Sequence, residues 1–418
     1  MSTEHKIIRD SIHGDIKVEG LFLDLLDTPE LQRLYNIKQL GLAHLVFPGA
    51  HHTRLEHSLG SYHMASRSSE LLGLNKNDKK LVTCAALLHD IGHGPFSHTL
   101  ESILRDSLNV DHVDLTIKLV FGDYDIFGED EKAFVSSQSA HDVLESYNMD
   151  IEKIANIIRG EPRGKPFLSQ LIDSAIDVDQ LDYLIRDAYY TGVAYGMIDI
   201  ERFLQTLIVI NDTLAVKRKG VSVVENILMA RALMYSSIYF HKTVRITELM
   251  LSKSIELIPD VNPFDFFKMT DTELISYLKN KDVFQQKIVT SLKYRRLYKQ
   301  AYAADHSNLD EQQKEIIRKL DNPNDRREKE QEFEEKLKIS PGHVIIDVPS
   351  KEIHQSEPRL NQTSIIISER GQLKKLDNFT PIGSLIKSRS IPDWIIMIVT
   401  DEKHRSSVAK NAERILFK

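Results

Sequence analysis

Apolar residues recur at helical spacing through most of the chain. The pattern predicts helices over residues 30–40, 56–72, 78–91, 140–159, 168–190, 199–209, 224–258 and 271–303, separated by short loops bearing Gly, Pro or Asp. Ahead of them, KIIRDSIHGDIKVEG reads as short extended segments joined by a His-Gly turn. The stretch from 305 to 339 is dense in charge and reads as a solvated helical pair broken at Pro323. After Pro341 the period changes: HVIIDVPS, TSIIISER and DWIIMIVT look like strands, and the last residues look helical. The expected architecture is mostly α: a helical body over 1–304 with short N-terminal strands, a charged helical connector over 305–340, and a small α+β region over 341–418. No internal repeat is visible.

A chain of 418 residues is long enough for an extensive core. Its formal charge of -7 argues against broad adhesion to nucleic acid or anionic membrane, although a local basic pocket is compatible with it. The single cysteine, Cys84, lies in the apolar run LVTCAALLHD, so neither a disulfide framework nor a cysteine metal site forms within one chain. MSTEHKIIRD is polar, and no apolar run reaches the roughly 18 residues of a membrane span. A soluble, cytoplasmic protein is the expectation.

The chemistry concentrates in LLHDIGHGPFSH, residues 87–98. His89 and Asp90 end an apolar helix, and adjacent helical residues point about 100 degrees apart. They converge on one cation only if other helices close the site. His57, in RLEHSLG, and Asp179, in SAIDVDQLDYLIRDAYY, are the candidates, since an aspartate on an apolar helix needs charge compensation. Two imidazoles and two carboxylates suit a borderline divalent ion (Zn, Fe, Mn, Ni or Mg) and leave room for water and a phosphoryl oxygen. Taken singly, each is equally readable as a cap or a satisfied polar group. Asp179, Tyr183 and Asp187 are spaced by four and share a helix face, and Arg54 stands one turn before His57, set either for phosphate or for a surface ion pair. His93, His98 and His112 are candidates for proton transfer or for bracing a loop.

The ordered set His57, His89-Asp90, Asp179, with DTPELQRL, FPGAHHTRLEHSLG, LLHDIGHGPFSH and IDVDQLDYLIRD, resembles the HD phosphohydrolase superfamily, in its deoxynucleoside triphosphate triphosphohydrolase branch. The resemblance runs from about Lys6 into the C-terminal α+β segment, and it is to the catalytic body that one vertebrate member joins to a sterile alpha motif domain. It implies an HD-domain helical body whose metal ligands are His57, His89, Asp90 and Asp179. It further implies that Tyr183 contacts phosphate and sugar, that Asp187 together with Gln39 receives the sugar 3'-hydroxyl, that Leu40 belongs to the substrate site, that Arg54 and Arg231 serve phosphate, and that Tyr239 lies near the base. His98 is then the catalytic candidate nearest the phosphates, with His93, His112 and Glu101 in support.

The activity implied is hydrolysis of a deoxynucleoside triphosphate to deoxynucleoside and inorganic triphosphate, Mg accompanying the nucleotide. The alternatives are another nucleotide phosphohydrolase of the superfamily and a non-catalytic nucleotide- or RNA-binding regulator. A homo-oligomer, dimer or tetramer, is implied, with nucleotide-responsive interfaces using Lys6, Asp27, Gln32, Arg202, Arg295 and Lys299. The chain departs from the family pattern at Tyr35, where an arginine is usual, at Val113, where a glutamate is usual, and at Gln180, where a lysine is frequent. Tyr235 and Phe240 also replace polar family residues.

Overall fold

The hairpin at the N-terminus forms because Asp10 accepts hydrogen bonds from the backbone of Ile12 (2.9 Å) and His13 (2.8 Å), closing a turn completed by Gly14 at positive φ. Strands β1 (His5–Asp10) and β2 (Gly14–Glu19) then pair antiparallel from His5↔Glu19 to Asp10↔Gly14, and the turn between them delivers His13 to the helical body. The structure is a computed structural model, describing residues 5–97, 110–128, 131–135, 137–161, 163–259, 264–349, 365–387 and 394–418.

Three helices make the scaffold of the body. Helix α1 (Arg54–Leu71) starts at a Thr53–Glu56 capping box, α2 (Lys76–Leu88) starts on Asn75, and α3 (Val178–Thr191) starts on Asp177 and stops at left-handed Gly192. Their apolar faces meet: Leu55, Leu59 and Met64 of α1, Leu81, Ala85 and Leu88 of α2, and Leu181, Leu184 and Ala188 of α3 share one core. Helix α4 (Val221–Met234) joins the same core, passes through a single wide turn at Tyr235–Tyr239, and is followed by α5 (Lys242–Glu256).

The mostly helical reading holds, with local differences that have physical causes. The expected helix over 30–40 is only Pro29–Arg33 and a short 3-10 turn, because Lys38 bridges to Thr53 and the backbone there must pair with a neighbouring segment. The helix over 140–159 is two, Ala140–Ser146 and Ile151–Ile158, interrupted where Asn148 takes positive φ. In 199–209 the helix ends at Leu204 and a hairpin follows, β3 (Leu207–Ile210) and β4 (Thr213–Lys217), turning on Asn211–Asp212, both at positive φ. Residues 271–303 hold helices Asp271–Lys279 and Val283–Lys293, then strand β5 (Lys299–Ala304) after left-handed Arg295.

The expected C-terminal strands divide between two sheets. Strand β6 (Val344–Asp347) lies in one, while β7 (Ile366–Glu369) and β8 (Gln372–Lys375) continue the β3–β4 hairpin through a parallel β4–β7 contact. Strand β9 (Ile396–Thr400) is central to the first, in the order β5-β9-β6. Its residues alternate between two cores: Met397 and Val399 face the cluster of Met250, Ile288 and Leu292, and Ile396 and Ile398 face that of Phe333, Val408 and Ile415. A strand buried on both faces reads as a continuous apolar run, as IIMIV does.

Pro323 begins the helix Pro323–Leu337, as expected of a break there. The solvated reading of this stretch needs correction, since Phe333 and Glu330 are buried. Glu330 accepts the backbone N–H of Ile346 at 2.8 Å and pairs with Lys253 of α5, which also reaches Glu256 at 2.9 Å. Among the described residues no helix is long and apolar enough to cross a membrane. Removing one member of a buried pair strands the other charge, so Lys253→Met should lower stability by about 3–5 kcal/mol in urea unfolding. The double variant Lys253→Met, Glu330→Met should recover part of that loss.

Candidate metal centre

Each ligand candidate is placed by a helix end. The Arg54 N–H donates to Ile37 O at 2.9 Å, which anchors the start of α1 and sets His57 one turn in. His89 is the C-terminal cap of α2 with Asp90 just beyond it, and Asp179 lies in the first turn of α3. Packing of the three helices brings the four together. His57 Nε2 lies 2.9 Å from Asp179 Oδ1 and 3.9 Å from Asp90 Oδ2, and His89 Nε2 lies 3.2 Å from Asp90 Oδ1 and 3.7 Å from Asp179 Oδ1.

These residues fit a divalent cation. One ligand atom from each of His57, His89 and Asp90 falls within 4.8 Å of the others. His89 Nδ1 donates to Ala86 O at 2.8 Å, which leaves Nε2 as the lone-pair nitrogen, and that buried nitrogen has no hydrogen-bond partner among the described residues. Burial opposes charging His57, yet hydrogen bonds to Asp179 and Asp182 outweigh it and push its pKa up to about 10. Burial likewise works against the carboxylates of Asp90 and Asp179, but the imidazoles beside them, with Arg54 beside Asp90, hold both below the usual range. The site favours concentrated negative charge neutralised from nearby.

Behind it stands a carboxylate that the sequence reading did not single out. Asp182, fully buried, accepts from His57 Nδ1 at 2.8 Å, from His13 Nε2 at 2.7 Å and from Arg186 through two bonds of 2.9 Å. Arg186 also donates to Asp10 at 2.8 Å, tying the N-terminal hairpin to the network. Space here is fully used: a Cβ on Gly60 would lie 1.8 Å from Asp182 Oδ1.

The loop after Asp90 is fixed by two other buried groups. Arg33 donates to the carbonyls of His93 (2.7 Å), Ile91 (3.1 Å) and Phe267 (2.7 Å). Asp271 accepts from the backbone of Phe96 at 2.9 Å and of Lys38 at 3.0 Å. Arg54 then spans the loop, pairing with Asp90 and donating Nε to Ser97 at 2.8 Å. His93 lies 3.4 Å from Asp90 Oδ1 and stacks on His112 at 3.9 Å. Burial, with Arg54 and His112 close by, holds the His93 pKa well below the ordinary histidine value. His98 and Glu101 lie outside the described residues.

Farther along α3, Tyr183 faces the rings of His57 (6.4 Å) and Tyr239 (6.1 Å). Asp187 accepts from Tyr239 Oη and from His52 Nε2, both at 2.7 Å. Gln39 pairs through its backbone with His52 O at 3.0 Å, and Leu40 is buried beside it. Arg231 lies over the Tyr235 ring and reaches Gln180 Oε1 at 3.4 Å; Gln180 donates its amide to Ser174 O and Asp177.

Residues 54–187 match the HD domain, and residues 198–417 match the HD associated region. The chain belongs to the HD-domain phosphohydrolase superfamily. An uncharacterised protein of Methanocaldococcus jannaschii is 33% identical over 97% of this chain and 81% of its own length. A deoxynucleoside triphosphate triphosphohydrolase SAMHD1 homolog of Dictyostelium discoideum is 31% identical over 70% of this chain, but the match spans only 59% of that relative. A solved structure of a hypothetical protein from Aquifex aeolicus is similar with a TM-score of 0.71 and 30% identity, covering 98% of this chain and all of that one.

The structure brings His57, His89, Asp90, Asp179, His93, His112, Arg54, Tyr183 and Asp187 of the HD domain and Tyr239 of the HD associated region into one connected region. The residues considered for nucleotide-responsive interfaces lie elsewhere. Lys6 pairs with Asp27 at 3.6 Å and Gln32 donates to Leu26 O, whereas Arg202, Arg295 and Lys299 lie exposed on three other segments. Tyr35 is exposed. Besides Asp182, the sequence reading missed His13, His52, Gly60, Arg33 and Asp271. The spacing of Asp179, Asp182 and Arg186 at three and four residues was a signal for Asp182. Asp182→Asn keeps size but loses the charge that fixes the His57 ring; metal affinity measured by calorimetry should fall about 10–100-fold.

Proposed function

We propose that this protein hydrolyses deoxynucleoside triphosphates to deoxynucleoside and inorganic triphosphate. The observation that carries the reading is the run of Asp179, Tyr183 and Asp187 along one face of α3, which joins the metal ligands at one end to the Tyr239–Asp187–His52 cluster at the other. One face thereby spans a phosphate end and a sugar end. The Dictyostelium relative's name supports the same substrate class. Gln39 Oε1 and His52 Nδ1 are buried with no hydrogen-bond partner among the described residues, in keeping with polar groups that a ligand hydroxyl satisfies.

His57, His89, Asp90 and Asp179 would hold a divalent cation, which would supply Lewis-acid polarisation of a phosphoryl oxygen. The protein's own groups do the rest. Arg54, clamped between Asp90 and Ser97, is held in place without reorganisation and adds positive charge beside the phosphates. Asp187 orients the sugar through its carboxylate, itself fixed by Tyr239 and His52. Water attacks the α-phosphorus as the bond to the 5'-oxygen breaks; His98, five residues after His93, delivers a proton to that oxygen, and the proton shed by the water restores His98, with His93 beside it as the supporting histidine. Mg accompanies the nucleotide. We place the enzyme in the cytoplasm as a homo-oligomer whose interfaces use Lys6, Asp27, Gln32, Arg202, Arg295 and Lys299.

A second reading, hydrolysis of a nucleoside monophosphate, is favoured by Gln180. Its amide is engaged by Ser174 and Asp177, and it brings no cation to a β- or γ-phosphate. Incubation of the protein with each deoxynucleoside triphosphate and several divalent metals, followed by separation of products, decides between them. Intact triphosphate is the expected product; turnover of monophosphates alone overturns the leading reading. His89→Ala with Asp90→Ala should abolish both bound metal and turnover, and activity surviving in a metal-free double variant counts against the centre.

A further inference from the structure

A second cluster of metal-ligating side chains lies in the C-terminal sheet, away from the HD centre. Strands β6 and β9 pair antiparallel with Val344 opposite Thr400, so the next residues outward, His343 and Asp401, stand side by side just past the end of the ladder. The chain turns there, with His404 N–H donating to Asp401 O at 3.2 Å, and enters the helix Arg405–Leu416 with His404 as its first cap. Three elements thus converge at one corner. His343 Nδ1 lies 2.7 Å from Asp401 Oδ2, and His404 Nδ1 lies 2.7 Å from Asp401 Oδ1. One ligand atom from each of the three falls within 4.8 Å of the others, as in the set of His57, His89 and Asp90.

The corner is built rather than loose. His343 is 8% exposed, its ring lies near those of Tyr298 and Phe284, and its backbone N–H donates to Glu334 at 3.0 Å. The deciding observation is at His404. Its Nδ1 is buried and close to a carboxylate oxygen, yet it has no aligned hydrogen bond among the described residues. His89 Nε2 is in the same position against Asp90 Oδ1 in the HD centre. A cation shared between nitrogen and oxygen accounts for both.

We propose that His343, Asp401 and His404 hold a second divalent cation of the borderline class, Zn2+ foremost, with solvent completing its coordination. The ion ties β6, β9 and the C-terminal helix together, and its role is to fasten that helix to the sheet. Its competitor is Lys287, whose Nζ lies 3.5 Å from His343 Nε2 and 3.9 Å from Asp401 Oδ2. That side chain is half exposed, so the ammonium moves into water when the metal enters.

The test is Zn2+ titration of chelator-stripped full-length protein, with bound metal counted by mass spectrometry. Wild type is expected to take up a second equivalent, which His404→Ala and Asp401→Asn each lose while keeping the first. His89→Ala with Asp90→Ala should lose the first and keep the second, so failure of one site is read separately from failure of the other. His404 makes no side-chain capping bond, which leaves the helix start intact in the alanine variant. Lys287→Ala should bind the second equivalent more tightly. A single equivalent in wild type, a stoichiometry unchanged in His404→Ala and Asp401→Asn, or an affinity unmoved in Lys287→Ala overturns the proposal.

Discussion

Orientation of one imidazole by one buried carboxylate is the constraint on which the HD centre rests. His57 lies inside α1, where ring rotation would turn Nε2 away from Asp179 and Asp90; the bond from Nδ1 to Asp182 prevents it. A carboxylate with no exposure is costly, and Asp182 is tolerated because Arg186 and His13 surround it. That compensation sets requirements farther out. Asp10 must occupy Arg186, the hairpin must present His13, and α1 must carry glycine at position 60 so that α3 can approach. A local need at one ring therefore dictates the docking of the N-terminal hairpin and the separation of two helices.

The loop that follows the His-Asp pair depends on a different kind of support. Arg33 and Asp271 hold its backbone through carbonyl and amide groups, adding to the bonds made by the loop's own Ser97. Arg33 bonds residue 267 as well, and Asp271 opens the next helix. The region C-terminal to the HD domain thus shapes the centre directly, although it contributes none of the four ligand candidates.

Much of this was legible before any coordinates. The helix-forming periodicity located α1 and α2, whose caps, such as Thr53 with Glu56, are local in sequence, but the single helices expected over 168–190 and 224–258 are each broken, ahead of Asp177, which caps α3, and at the wide turn Tyr235–Tyr239 between α4 and α5. His57, His89, Asp90 and Asp179 were legible because their residue types are out of place on apolar helices. Asp271 was not, since its partner lies 175 residues away; Asp182 was legible only in its pairing with Arg186 four residues on, while its bond to His57 crosses 125 residues. The β3–β4 hairpin was misread as helix because Leu207–Ile210 is short and apolar, although Asn211–Asp212 is a turn signal in its own right. The buried side of Pro323–Leu337 was hidden by composition: a helix rich in charge still carries Phe333 and Glu330 inward.

The parallel contact of β4 with β7 has a consequence for biosynthesis. Strand β4 pairs on one side with β3, and its other edge is met by residues about 150 positions later in the chain. As the polypeptide leaves the ribosome, that edge waits through the synthesis of every intervening segment, with backbone donors and acceptors open to stray pairing. A nascent chain of this design gains from a chaperone that shields a β edge until translation has supplied its partner.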